Sequence, residues 1–134
     1  MAELAITTVT PVQGSPDQLK KVQVGEAVAE GDIGYKSGAK YYLAKNDTEA
    51  NAAASVLFAT AAGIDEYTFI YESGATLDIG VSTASGEIYC VASTAGQAEP
   101  HSDVGSSEFV TALFTGTGSS VITFQPRPSG YAKP

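Results

Sequence analysis

GATLDIGVSTASGEIYCVASTAG, running from Gly74 to Gly96, sets the character of this chain. Gly74, Gly80, Gly86 and Gly96 punctuate it. Between the last two lies Ile88-Tyr89-Cys90-Val91-Ala92, a short apolar run rich in residues that pack well on a pleated surface. Short strands between glycine turns build a small β-structure with many reversals. The stretch holds no constellation of catalytic residues.

The same rhythm continues on both sides. Upstream, Tyr67, Phe69 and Tyr71 alternate with Thr68 and Ile70, as a strand covered on both faces does. Lys21-Val22-Gln23-Val24 alternates in period two. Ile33-Gly34-Tyr35 and Lys40-Tyr41-Tyr42-Leu43-Ala44 flank a reversal at Ser37-Gly38. Asn46-Asp47-Thr48-Glu49 opens the one helix, with Asp47 capping and the alanines Ala50 to Ala54 favouring it. The helix is expected to stop near Ala54, before Ser55–Thr60, or else to run on to Ala62. Downstream, Ser93 to Pro100 reads as a polar loop. Phe109–Phe114 and Val121–Phe124 read as a closing hairpin round the Gly/Ser/Thr turn at Thr115–Ser120. The sum is an all-β fold of about eight to ten short strands with one short helix. A small antiparallel barrel or sandwich closes such a chain.

Three regions follow from the breakers. Residues 1–19, interrupted by Pro11, Gly14 and Pro16, form an extended N-terminal arm. Residues 20–125 form the β-domain. Residues 126–134, with three prolines, form a tail. At 134 residues the chain is one domain in size and needs no disulfide or metal to build a core. Much of its apolar content is alanine, and it has no Trp, so the core is thin. Either a neighbouring subunit completes it or the monomer is modestly stable.

Fifteen acids against seven bases give a formal charge of −8. That sign opposes binding to phosphate backbones, which needs clustered Lys and Arg. Along the sequence the bases form no stripe: Lys20-Lys21 is the one adjacent pair and Arg127 stands alone. A single cysteine, Cys90, excludes an internal disulfide and reads as a buried, inert thiol. No stretch has the length and apolarity of a membrane span. The N-terminus lacks the pattern of a secretory signal.

The chemistry-bearing residues give no catalytic site. His101-Ser102-Asp103 are sequence neighbours, and strand neighbours point to opposite faces, so they read as a loop. Asp65-Glu66 and Asp78 read as solvated carboxylates. Gly116-Thr-Gly118-Ser-Ser lacks the lysine and the following helix of a phosphate cradle. The metal-binding spacings are absent. Asn46-Asp47-Thr48 matches a glycosylation triplet but is better explained as a helix cap. Six tyrosines, Tyr35, Tyr41, Tyr42, Tyr67, Tyr71 and Tyr89, suit a sugar-binding face or, spread over several strands, the core and a subunit interface.

Gly25-Glu26-Ala27-Val28 with Glu30-Gly31-Asp32, Tyr41-Tyr42-Leu43-Ala44, the Asp47–Ala54 turn and the strand at Ser55–Ala59 together resemble small head proteins of tailed bacteriophages. Gly86-Glu87-Ile88-Tyr89-Cys90-Val91-Ala92-Ser93-Thr94-Ala95-Gly96 is similar to a stretch of capsid decoration (cement) proteins and their head-fibre relatives. The likeness covers roughly residues 20–125 and leaves out the arm and the tail. It implies a structural virion protein on the outer surface of the capsid, made in the host cytoplasm. The implied partners are the major capsid protein and further copies of this chain in a homotrimer. Neither nucleic acid nor membrane is expected as a partner. No cofactor, metal or enzymatic activity is expected. The arm, through Leu4, Ile6, Val9 and Val12, is expected to cross the capsid surface or add a strand to a partner's sheet. The alternative is a head-fibre or tail-associated β-domain that binds host-surface carbohydrate.

Overall fold

The computed structural model describes residue 4, residues 6–12 and residues 19–134. It is all-β with one short helix. In chain order the described elements are β1 (Thr10–Pro11), β2 (Lys20–Gln23), β3 (Ile33–Ser37), β4 (Lys40–Leu43), α1 (Glu49–Ala52), β5 (Val56–Phe58) and β6 (Tyr67–Tyr71). They continue with β7 (Thr76–Asp78), β8 (Ile88–Val91), β9 (Ala98–Pro100), β10 (Phe109–Thr115), β11 (Val121–Thr123) and β12 (Arg127–Ala132).

The strands form three antiparallel sheets, of five, four and three strands, ordered β2-β6-β5-β3-β4, β12-β10-β8-β9 and β1-β7-β11. In the first, Val56, Leu57 and Phe58 are all buried, which places β5 in the middle. Alternation then divides them. Val56 and Phe58 point inside the curl of the sheet, with Val22, Val24, Val28, Tyr41 and Ile70. Leu57 points outside, into the larger core with Ile33, Tyr71, Leu77, Ile79, Leu113, Ile122 and Phe124. Each of the fully buried Leu, Ile and Phe side chains contributes about 2 kcal/mol of transfer free energy. The five-stranded sheet bends round until its edges, β2 and β4, meet at one parallel bridge, Val24–Tyr41. There the Gly25 N–H donates to the Tyr41 carbonyl at 2.9 Å. The barrel does not close.

Three local expectations are corrected. The helix is a single turn, and Thr48 caps it: its Oγ1 accepts from the Asn51 N–H at 3.1 Å. Asp47 instead accepts from Asn51 Nδ2. The strand propensity of residues 56–58 prevails, so no helix runs on to Ala62. Second, β10 and β11 do not form a hairpin. β10 lies between β8 and β12, while β11 pairs with β7 in another sheet. The loop crosses between sheets because Gly116 lies against the Ala84 carbonyl, where a Cβ would not fit. Third, the residues expected as a tail form β12 along β10, with the bulge and edge position that a strand containing Pro128 requires. The polar loop before Pro100 likewise ends as β9, paired with β8.

Candidate interaction surface

The residues with chemical potential are dispersed. His101–Asp103 form one 3₁₀ turn. His101 is exposed, its carbonyl accepts from Lys133 Nζ at 3.1 Å, and among the described residues no hydrogen bond links the three side chains. Asp65 Oδ1 accepts from Lys40 Nζ at 2.6 Å, which holds the Lys40 ammonium pKa above its usual value. Asp78, in the three-stranded sheet, accepts from the Gly80 N–H. Among the described residues, no group of three or more His, Cys, Asp or Glu side chains stands together to hold a metal.

Where the arm is described, it lies along its own domain. The Leu4 N–H donates to the Ala98 carbonyl at 2.8 Å, and Leu4 and Ile6 pack on the main core. Val9 belongs to that core and is 8 % exposed; its N–H donates to Glu30 Oε2 at 2.8 Å. The Val12 N–H donates to the Thr76 carbonyl, beside the pairing of Thr10 with Asp78 and Pro11 with Leu77. The strand expected for a partner's sheet is thus added to β7 of the same chain. Residues 1–3, 5 and 13–18, including Gly14 and Pro16, lie outside the described residues.

A buried polar cluster ties the two halves of the chain together. Asn46 is 1 % exposed. Its Nδ2 donates to the Val91 carbonyl at 3.2 Å, to Glu108 Oε1 at 3.2 Å and to Glu99 Oε2 at 3.5 Å. Its backbone N–H donates to the Ala92 carbonyl, and its own carbonyl accepts from the Phe109 N–H. Asn46 of the triplet is therefore a structural residue inside the protein, while Asp47 and Thr48 are exposed. Cys90 is fully buried beside it, paired with Glu99 across β8 and β9. Burial first, and then the Glu99 carboxylate, push its thiol pKa up to about 11. No motif announces this cluster, because the acceptors of the Asn46 amide lie 45 to 62 residues from it in sequence.

The tyrosines divide by role. Tyr41, Tyr71 and Tyr89 are buried, and Tyr89 stacks on Phe114 with ring centroids 5.2 Å apart. Tyr35 and Tyr42 form a half-buried tilted pair at 6.0 Å. Tyr67 is 59 % exposed. Its surroundings gather groups suited to recognition. The outer face of the five-stranded sheet carries Ile33, Leu57 and Tyr71 at one end, covered by the rest of the molecule, and Tyr67 and Phe69 at the other, bare. Cross-strand pairing puts Lys21 opposite Phe69 and Gln23 opposite Tyr67 on that bare half. Lys21 Nζ stands 5.4 Å from the centroid of the Tyr67 ring. Beside it, an open depression of about 380 Å³ is lined by Lys20, Lys21, Lys36, Tyr41 and Tyr67 among others. The bases that form no stripe in the sequence form a patch in space: with Lys40, four of the seven lie here.

Comparison of the chain with protein-family models, with curated proteins and with solved structures finds no match in any of the three.

Proposed function

We propose that this protein is a structural virion component that binds the outer surface of a bacteriophage head and stabilises the assembled capsid. The observation that carries the reading is the half-covered sheet. A small all-β body with a thin core leaves Tyr67 and Phe69 exposed on one sheet and Ile88 and Tyr131 on another. Large apolar side chains left bare on sheet faces suit docking against other proteins. The turn-and-strand pattern over residues 20–125 supports the capsid as the surface, with the major capsid protein as partner and a homotrimer as the assembly. The −8 charge suits a place outside the shell, away from packaged DNA.

The second reading is a head-fibre or tail-associated domain that binds host-surface carbohydrate. It is favoured by one feature, the exposed Tyr67 ring beside Lys21. Electron cryomicroscopy of the native particle separates the two. The expected result is density for this chain on the outside of the shell at threefold or quasi-threefold points. Absence from the shell, with density only on a projecting fibre and binding on a glycan array, overturns the capsid reading in favour of the second.

A further inference from the structure

We propose that the outer edge of β2 is a docking site for an extended, acidic segment of a protein partner, which joins the five-stranded sheet as an added strand. β2 is an edge strand. It has β6 on one side, and on the other it meets β4 only at the Val24–Tyr41 bridge. Before that bridge, residues 20–23 border the open depression. An edge of this kind offers main-chain donors and acceptors to an extended chain, and flanking side chains then select its sequence.

The charge around the edge selects acids. Lys40 is neutralised by Asp65, but Lys20, Lys21 and Lys36 have no carboxylate partner among the described residues. They are a concentration of positive charge on a chain whose formal charge is −8. Such a patch steers and holds a complementary negative segment. Three amines with no arginine, set in an acidic molecule, are too few to neutralise a run of phosphates. Lysines on an edge strand also guard it against pairing with other edges. Guarding by charge alone, however, does not call for two exposed aromatic rings on the adjoining face. Tyr67, which lines the depression, supplies apolar contact for an incoming strand's alternate side chains.

The partner's chemistry follows from the patch alone, so capsid binding and peptide binding can fail independently. The test is an NMR titration of the full chain with a blocked octapeptide of alternating Glu and Thr. An oligothymidylate of eight nucleotides and the same peptide N-methylated at every residue, which leaves it no N–H donor on either edge, serve as comparisons. The expected result is shifts confined to the amides of residues 20–24, 36–41 and 67–69, weakened by added salt. Joint substitution of Lys20→Glu, Lys21→Glu and Lys36→Glu weakens binding by at least about tenfold, with the rest of the spectrum unchanged. If the triple variant does not fold, the single Lys→Gln variants give the same comparison. Shifts elsewhere or none, equal binding of the N-methylated peptide, or tighter binding of the oligonucleotide each overturns the proposal.

Discussion

The Asn46 amide donates to one carbonyl and two carboxylates from a position almost sealed from water. Removing it leaves the buried Val91 carbonyl and Glu99 carboxylate without that donor, which costs more than the hydrogen bonds themselves contribute. Asn46→Ala is expected to lower unfolding stability by about 3 kcal/mol in urea denaturation. A loss under about 0.5 kcal/mol, the range of an ordinary surface change, contradicts this role for the amide. Cys90 gives a prediction of opposite pH sense to the usual carboxylate case. Its thiol pKa rises from 9.0 to about 11 on folding, so the folded state holds the proton more tightly. The stabilisation is fully present below pH 9 and is lost as pH rises towards 11, to a limit of about 2–3 kcal/mol. Cys90→Ala removes that part of the alkaline slope in a pH series of denaturation curves. The native thiol also stays unmodified by a thiol reagent at pH 8 until the protein unfolds, because the thiolate is the nucleophile.

At the scale of elements, two close approaches decide how strands pass one another. A Cβ on Gly34 in β3 would stand 2.5 Å from the Phe58 ring and 2.8 Å from the Tyr42 carbonyl. The carbonyl belongs to the neighbouring strand and cannot swing aside. Gly34→Ala is therefore expected to cost about 2–3 kcal/mol by overpacking, seen as a lower thermal midpoint. An unchanged midpoint contradicts the packing of β3 against β5. The strand pattern around Gly34 was legible because alternation and glycine turns are local signals. The helix was legible in place and in its end near Ala54, because the β-branched and aromatic run that follows is a local signal; its cap, Thr48 in place of Asp47, was not. The pairing of β11 with β7, in place of its neighbour β10, was not legible. Nothing local marks a loop that changes sheets, and the Gly116–Ala84 contact that permits it joins residues far apart in the chain.

At the scale of the whole molecule, residues 6–12 belong to the body they lie on. Deletion of the chain up to Val12 removes β1 from the three-stranded sheet and uncovers the core that Val9 helps to fill. The truncated protein is expected to unfold several degrees below the full chain, since one buried valine with its neighbours is worth about 1–2 kcal/mol. Equal thermal midpoints indicate a dispensable arm. The basic, aromatic patch also exists only at this scale. Lys20 and Lys21 are visible as a pair, but Tyr67 reaches them through the pairing of β2 with β6, and Lys36 only because the sheet curls until β2 comes alongside β4. The expectation that the bases form no stripe held for the chain as a string and failed for its surface.

The sequence by itself determined the all-β class, the short strands, the reversals at glycine and the acidic balance. Each of these depends on residues within a few positions of one another, through backbone sterics, alternation and composition. The tertiary structure decided which strands share a sheet, where the arm and the last ten residues are spent, and which polar side chains are buried together. It also decided which half of a sheet stays bare. Those outcomes depend on contacts between distant residues, whose free energy appears only once the chain has closed on itself.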